Sequence, residues 1–246
     1  MNQSLRRVAI VGSIRIPFCR SNGAYQDLSN KDMLAHTLQA LSTRLGLAGQ
    51  HIDEVAGGAV TTHAADWNLT REALLDTDLA PETPGITLQQ ACGTSLQAAM
   101  LLGAKIASGQ IETAIACGSD TTSDVPIVFS QRFARRLIAL SRARNLKTRL
   151  GAFKGMSLGE LKPLPPSPQE PRTKLSMGQH CELMAKQWQI PRVDQDALAL
   201  ASHHKAAAAY ERGFFDDLVA PCEGVARDNN IRTDASLESL AALRNA

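Results

Sequence analysis

The sequence places one cysteine where a nucleophile could act. Cys92 stands in the stretch ITLQQACGTSLQAAMLLGAKIASG, residues 86–109, between a short apolar run and a long run rich in Ala and Leu. This pattern predicts a strand over residues 86–91 and a helix over residues 92–108. The thiol would then lie at the helix N-terminus, where unpaired backbone N–H groups and the helix dipole favour a thiolate, the nucleophilic form of cysteine.

Gly93 agrees with this interpretation, because a residue without a side chain lets a substrate carbonyl approach backbone N–H groups that could hold an oxyanion. The carboxyl ends of parallel strands, where Cys92 would lie, are also where open α/β sheets bind their ligands. The same pattern fits a small buried apolar residue that merely starts a core helix. Composition alone favours that second interpretation.

The elements around Cys92 alternate between strands and helices. Apolar runs predict four buried strands, in the segments RRVAIVGS, DEVAGGAV, ITLQQA and ETAIACG. Helices are predicted over residues 29–45, 68–79 and 92–108, the first of them with a capping box at Ser29 and a stop at Gly46. The order βαβαβαβ predicts an α/β fold with a mostly parallel sheet and helices on both faces.

Residues 124–246 do not continue this alternation. A basic run over residues 132–149 carries seven Lys or Arg and no acid, and five prolines follow within residues 151–174. That is too many prolines for a helix or a central strand. Because helical spacing resumes at Met177, we predict an α/β core over residues 1–123 and a largely helical domain over residues 124–246.

The composition narrows the class of protein. The 246 residues carry 26 basic and 24 acidic residues, a net charge of +2, so the overall field favours neither nucleic acid nor an acidic partner. No apolar run has the length of a membrane span or of a signal peptide, and we expect a cytoplasmic protein. Five cysteines without a CxxC pair predict reduced thiols rather than disulfides or a zinc site. They are Cys19, Cys92, Cys117, Cys181 and Cys222.

The segment around Cys92 closely resembles the nucleophile segment of the thiolase family. QQACGTSLQAA follows the family pattern of Asn or Gln, two variable residues, Cys, a small residue, Ser-Gly or Thr-Ser, and Leu-Gln-Ala. Four further blocks resemble the family in the same order. They are RVAIVGSIRIPFCRSNGAYQD, IACGSDTTSDVP, the block from MGQHCELMAKQ to LVAPC, and IRTDASLESLAALRNA. The resemblance covers essentially the whole chain and implies a thiolase-like first domain with a loop domain that covers coenzyme A.

This resemblance implies an acyl-CoA:acetyl-CoA C-acyltransferase. In the family's cycle the cysteine that corresponds to Cys92 takes the acyl group from a 3-ketoacyl-CoA, releases acetyl-CoA and passes the acyl group to a second coenzyme A. The reverse reaction is a Claisen condensation, and both directions stay open. Coenzyme A and acyl-CoA are substrates in this scheme, fatty acid β-oxidation is the expected setting, and no permanently bound cofactor or metal is expected.

The resemblance also implies a coenzyme A site. Met177 corresponds to a methionine that lines the pantetheine arm, Arg232 to an arginine near the adenine diphosphate end, and Ser239 and Leu243 to positions along the tunnel. Ser176 stands where acetoacetyl-CoA thiolases often have histidine, and its smaller side chain predicts a longer or more varied acyl chain. Considered without the resemblance, Met177 is ordinary helix core.

The family's second domain has no counterpart among the 246 residues. That domain carries the Gly-His-Pro histidine, which activates the nucleophile, and a second cysteine in Cys-x-Gly. We therefore expect this chain alone to be inactive, as an N-terminal fragment or as a chain completed by another polypeptide. The six histidines are interpreted as surface or packing residues. They are His36, His51, His63, His180, His203 and His204.

Two other functions stay open at this point. A β-ketoacyl synthase-like enzyme shares the fold and the cysteine, and a noncatalytic module could bind acyl-CoA or mediate dimerisation. The resemblance implies a homodimer or tetramer, with a β-oxidation complex partner as an alternative and no nucleic acid. The basic run over residues 132–149 is interpreted first as a solvated helix over the active site, then as an attractor of coenzyme A phosphates. A surface for a membrane or a partner subunit is the third interpretation, and membrane association is disfavoured.

Overall fold

A computed structural model describes residues 5–244 of the chain. The first four and last two residues, which fall within the predicted domains 1–123 and 124–246, lie outside the described residues. The chain divides into two compact units, Met1–Asp124 with Gly178–Ala246 and Val125–Met177. Residues 178–246, which the sequence places in the second domain, thus belong to the first unit. The division into family domains stays a prediction.

A three-stranded parallel sheet with the order β2-β1-β3 forms the centre of the first unit. The strands are β1, Glu54–Gly57, β2, Gly85–Thr87, and β3, Ala114–Ala116. All four residues of β1 are buried, as expected for a central strand covered on both faces. The predicted α/β class with a parallel sheet is confirmed.

The predicted first strand is wrong. The segment RRVAIVGS forms no strand, and Ile10 and Val11 are 92% and 84% exposed. A strand needs a hydrogen-bonded neighbour, and no strand in the described part of the chain pairs with this segment. The observed order is therefore αβαβαβ rather than βαβαβαβ.

Helices pack on both faces of the sheet, as predicted. The three helices are α1, Asn30–Leu45, α2, Leu69–Leu75, and α3, Thr94–Ala107. Successive strand residues point to opposite faces: Val55 packs into the cluster formed with α1 and α2, and Ala56 into the cluster formed with α3. The helix α1 begins after a capping box at Ser29 and ends at Gly46, which has φ +66°. The predicted helix over residues 68–79 is shorter in the structure, since α2 ends at Leu75.

The C-terminal part of the first unit is helical. Its helices are α6, Met177–Gln187, α7, Arg192–Glu211, and α8, Leu237–Ala241, and only the first residue of α6, Met177, is assigned to the second unit. A salt bridge connects this C-terminal part to the N-terminal segment, because Nη1 and Nη2 of Arg15 donate to the two oxygens of the Asp228 carboxylate, at 2.7 and 2.9 Å. The backbone N–H of Phe18 donates to the same carboxylate at 2.7 Å.

The second unit contains the helices α4, Gln131–Arg142, and α5, Leu146–Gly151, followed by a 3-10 turn, Leu158–Leu161. The proline-rich segment after this turn forms neither a helix nor a regular strand, as predicted. Arg136 Nε donates to Glu160 Oε2 at 2.7 Å and joins α4 to the 3-10 turn. None of the described helices combines the length and the apolar composition that crossing a bilayer requires.

Candidate functional site

Cys92 lies in a short 3-10 turn, Ala91–Gly93, between β2 and α3, and is exposed to solvent. Two predicted boundaries are wrong here. The strand ends at Thr87 rather than at residue 91, and the α-helix begins at Thr94 rather than at Cys92. The chain needs these intervening residues because it changes direction sharply just before the thiol.

The change of direction is made at Ala91, which has φ +45°. This left-handed conformation is uncommon for a residue with a Cβ and costs about 1–2 kcal/mol. Hydrogen bonds on both sides hold Ala91 in place: its N–H donates to Gln89 Oε1 at 2.9 Å, and its carbonyl accepts from the Thr94 hydroxyl at 2.8 Å. Backbone strain of this kind persists where the surroundings enforce it, and it is concentrated at functional sites.

Gln89 connects this turn to the loop after β1. Its Nε2 donates to the carbonyl oxygens of Ala59 and Val60 at 2.9 and 3.0 Å. Asp120, in the segment after β3, accepts from the Val60 N–H at 2.7 Å. Partial desolvation raises the pKa of Asp120, against the hydrogen bonds from the N–H groups of Val60 and Thr61 that lower it. A continuous set of hydrogen bonds therefore runs from the segment after β3 to the residue before Cys92.

Glycines let the carboxyl ends of the strands and the start of α3 approach closely. A Cβ at Gly57 would lie 2.5 Å from the sulfur of Cys117, and one at Gly118 would clash with the hydroxyl of Ser95 in the first turn of α3. The turn with Cys92 thus lies at the carboxyl ends of the parallel strands, where ligands bind in open α/β folds.

Gly93 is not required by the backbone. It has φ −88°, and a Cβ at this position would have the Gln90 Cγ as its nearest neighbour, at 3.9 Å. The space beside Cys92 is therefore open. In the described structure neither the 3-10 turn nor α3 has a side-chain cap at its N-terminus. The backbone N–H groups of Ala91 and Gly93 donate instead to Gln89 Oε1 and to the Gln90 carbonyl oxygen. A role of Gly93 at an oxyanion stays a prediction.

The other cysteines differ from Cys92 in their surroundings. Desolvation raises the pKa of Cys117 to about 12, and burial also raises the pKa of Cys222. Both thiols are therefore protonated at neutral pH and are poor nucleophiles. Cys19 is half-buried, and Cys181 on α6 is exposed. Exposure alone leaves Cys92 and Cys181 as the accessible thiols.

Three histidines have clear partners. His63 Nε2 lies 2.9 Å from Asp124 Oδ2, His36 Nε2 lies 2.9 Å from the Pro221 carbonyl oxygen, and His203 Nδ1 accepts from a backbone N–H at 3.2 Å. His63 and Asp124 follow β1 and β3, so this pair stands at the same edge of the sheet as Cys92. Reasoning from the sequence missed it, together with Gln89 and Asp120. A signal was present for His63, Asp120 and Asp124, because these three follow predicted parallel strands, whereas Gln89 lies inside the predicted strand over residues 86–91.

The proposed coenzyme A residues occupy different parts of the chain. Met177 is exposed and is the last residue of the second unit, whereas Arg232, Ser239 and Leu243 belong to the first. The backbone N–H of Arg232 donates to His203 on α7, and its side chain is exposed. The Ser239 hydroxyl already donates to the Ser236 carbonyl and accepts from the Ser236 N–H in the capping box of α8.

Leu243 lines a cavity of about 620 Å³ beside α6 and the start of α7. Cys181, Lys186, Arg192 and Arg244 also line it, whereas Cys92 does not. This cavity therefore does not unite the predicted nucleophile with the predicted coenzyme residues. The assignments of Met177, Arg232, Ser239 and Leu243 stay predictions.

If Gln89 holds the strained turn, Gln89→Leu should lower the free energy of unfolding by about 1 kcal/mol, because it leaves the Ala91 N–H without its acceptor. The neighbouring Gln90→Leu provides a matched control, since it makes the same chemical change one residue away. Urea-induced unfolding measures both. An equal loss in the two variants would show that the Gln89 amide does not stabilise the turn.

Comparison with known proteins finds similarity along nearly the whole chain. The family model "Thiolase, N-terminal domain" matches residues 8–246. A 3-ketoacyl-CoA thiolase of Yersinia enterocolitica is 37% identical over 98% of this chain and 56% of its own length, and one of Yersinia pestis is 36% identical over the same shares. The crystal structure of the Bacillus anthracis acetyl-CoA acetyltransferase superimposes with a TM-score of 0.79 at 25% identity, covering 99% of this chain and 59% of that one. The chain thus spans about half the length of the curated relatives it matches.

Proposed function

The chain belongs to the thiolase family, and from that premise we propose that Cys92 is the nucleophile of an acyl-CoA:acetyl-CoA C-acyltransferase. The observation that carries the proposal is the placement of an exposed thiol on a strained turn at the carboxyl edge of a parallel sheet. The curated relatives named 3-ketoacyl-CoA thiolase support the choice of this chemistry over that of a β-ketoacyl synthase.

The proposed reaction has two transfers. The Cys92 thiolate attacks the C3 carbonyl of a 3-ketoacyl-CoA, the bond between C2 and C3 breaks, and acetyl-CoA leaves after C2 gains a proton. The thiolate of a second coenzyme A then attacks the acyl thioester on Cys92. An acyl-CoA leaves and Cys92 returns to its starting form. In this scheme backbone N–H groups beside Cys92, near Gly93, stabilise the oxyanion of each addition.

Coenzyme A binding by Met177, Arg232, Ser239 and Leu243 is part of the proposal. The exposed guanidinium of Arg232 fits a phosphate of the coenzyme. Ser239 is a weaker candidate for a hydrogen bond to the coenzyme, because its only hydroxyl proton is already donated to the Ser236 carbonyl oxygen. Ser176 in place of histidine favours a longer or more varied acyl chain.

Reactivity towards an alkylating agent tests the assignment of Cys92. We expect partial labelling with iodoacetamide, followed by peptide mapping, to modify Cys92 first. Cys117 and Cys222 should label only after unfolding, because burial keeps their thiols protonated. The decisive competitor is Cys181, which is also exposed to solvent. Faster labelling of Cys181 than of Cys92 in the folded chain would count against the nucleophile assignment.

We also propose that the chain associates with a second copy. Leu96 and Met100, one turn apart on α3, are exposed, as are Ile10 and Val11. Light scattering at micromolar concentration should therefore report a homodimer or tetramer. A monomer that unfolds cooperatively would contradict this proposal.

A further inference from the structure

Two free cysteines that lie 203 positions apart in the chain, Cys19 and Cys222, pack into one apolar cluster. Cys222 is 3% exposed and belongs to the buried part of the cluster, together with Tyr25. Cys19 packs against this part and is half-buried. No other two cysteines in the described part of the chain share an apolar cluster. The fold thus brings together one pair of thiols that the proposed acyl transfer does not use.

The hydroxyl of Tyr25 lies beside both thiols. It is buried and has no hydrogen-bond partner of normal geometry in the described structure. Burial raises the pKa of Tyr25, and the neighbouring thiols of Cys19 and Cys222 raise it further. A thiol acts on a phenol in this way only at short range, by contact or through the charge of its thiolate. Both sulfurs therefore lie close to the same hydroxyl.

Hydrogen bonds hold the backbone at each of the two cysteines. Asn229 binds the chain on both sides of Cys19, because its Oδ1 accepts from the following N–H at 2.8 Å and its own N–H donates to the preceding carbonyl at 3.1 Å. Cys222 begins a tight turn in which its N–H donates to the Val225 carbonyl at 3.0 Å, and its carbonyl accepts from the Val225 N–H at 2.8 Å. The two thiols are therefore kept near each other by the folded backbone.

The two thiols differ in access and in acidity. Cys19 is half-buried and open to a small oxidant, whereas Cys222 is covered. Burial raises the pKa of the Cys222 thiol, and the nearby charge of Glu223 raises it further. The Tyr25 hydroxyl acts in the opposite direction without reversing the shift. Cys222 is thus suited to attack an oxidised neighbour rather than to meet the oxidant first.

We propose that Cys19 and Cys222 form a reversible disulfide in the presence of hydrogen peroxide. The Cys19 sulfur takes one oxygen from the peroxide, the O–O bond breaks, and a sulfenic acid and a first water form. The Cys222 sulfur then attacks the Cys19 sulfur and the S–O bond breaks. The leaving oxygen takes up the Cys222 proton and departs as a second water. The two thiols together lose two electrons and two protons, and the peroxide is reduced to two waters.

The disulfide would join two segments that already meet beside the salt bridge of Arg15 with Asp228. The N-terminal one of these segments also contacts the segment after β3, because the Asn22 N–H donates to Ser123 Oγ at 2.8 Å. A crosslink that closes so long a loop restricts the unfolded chain and stabilises the folded one. Oxidation would therefore fix a segment that reaches the carboxyl edge of the sheet. This proposal does not depend on the chemistry proposed for Cys92.

Peptide mapping without reduction tests the proposal on the 246-residue chain. The dilute protein is treated with a small excess of hydrogen peroxide, its remaining thiols are blocked with iodoacetamide, and the digest is examined by mass spectrometry. We expect a linked pair of peptides that contain Cys19 and Cys222, which dithiothreitol separates. Oxidation of Cys19 to a sulfinic acid while Cys222 stays free would overturn the proposal. A disulfide of Cys19 or Cys222 with Cys92 or Cys181 as the main product would also overturn it.

Thermal unfolding provides a second measurement. Peroxide should raise Tm of the original chain by about 5–10 °C, and dithiothreitol should reverse the change. Cys19→Ala and Cys222→Ala should each abolish the rise, whereas the matched variant Cys181→Ala should keep it. Two variants are used because Cys222 is buried and its replacement alone can weaken the fold, whereas Cys19 is only half-buried. An equal rise in Cys19→Ala and the original chain would show that the oxidation acts elsewhere and would overturn the proposal.

Discussion

The 246 residues alone should show no measurable thiolysis of acetoacetyl-CoA, whereas a version extended through the family's second domain should be active. Acyl transfer needs a base for the thiol and an acid or base at the substrate's α-carbon. Together such groups contribute several powers of ten in rate. The resemblance assigns both groups to the second domain. In the described structure the partner of His63 is Asp124 and not Cys92.

Decay of the absorbance of the acetoacetyl-CoA magnesium enolate, with coenzyme A added, measures this difference. Cys92→Ala in the extended version is the control and should abolish turnover, because it removes the acyl acceptor. Comparable rates for the short and long chains, both lost with Cys92→Ala, would contradict the account. That result would mean that a histidine of this chain, such as His63 or His180, acts as the base.

Asp228→Asn should destabilise the fold by about 2–3 kcal/mol at pH 7, because it leaves the Arg15 guanidinium half-buried without its carboxylate. The same substitution at Asp217 is the control. Asp217 is exposed and lies 3.4 Å from Arg44, so its loss should leave the free energy of unfolding nearly unchanged. Urea-induced unfolding compares the variants. Equal stability of Asp228→Asn and the original chain would show that the salt bridge between Arg15 and Asp228 does not stabilise the fold.

The effect of Asp228 should depend on pH. Burial by itself would raise the pKa of Asp228, but the hydrogen bonds from Arg15 and the Phe18 N–H, with the charge of Arg15, hold it below its ordinary value. The unfolded value is about 3.9. Because the folded pKa is the lower one, the pair stabilises the fold fully above about pH 4, and the contribution is lost as the pH falls through the folded pKa. The difference between the original chain and Asp228→Asn should therefore shrink in acid.

Local signals in the sequence predicted the elements that depend on local chemistry. The helix α1 has its capping box at Ser29 and its stop at Gly46, and both act within one turn of the chain. The strand predicted for the segment RRVAIVGS is wrong because a strand also depends on a hydrogen-bonded neighbour. Its apolar run predicts burial on both faces, yet Ile10 and Val11 are exposed in the described structure. An apolar pattern predicts that a segment is buried against other elements, but it does not predict which elements these are.

The position of Cys92 was predicted to within a turn, and its surroundings were not. Helical periodicity cannot show that Ala91 takes φ +45°, because that conformation results from hydrogen bonds with Gln89 and Thr94. The contacts of Gln89 with the loop after β1 join residues about 30 positions apart. Such contacts follow from the parallel sheet, which brings the ends of distant strands to one edge.

Direct detection of an acyl group on Cys92 tests the central claim. The chain extended through the second domain is mixed with acetoacetyl-CoA without free coenzyme A, quenched in acid, digested and examined by mass spectrometry. We predict an acetyl thioester on the peptide that contains Cys92, which disappears when coenzyme A is added before the quench. Acetylation of Cys181 instead, or full turnover with Cys92 unmodified throughout, would contradict the account.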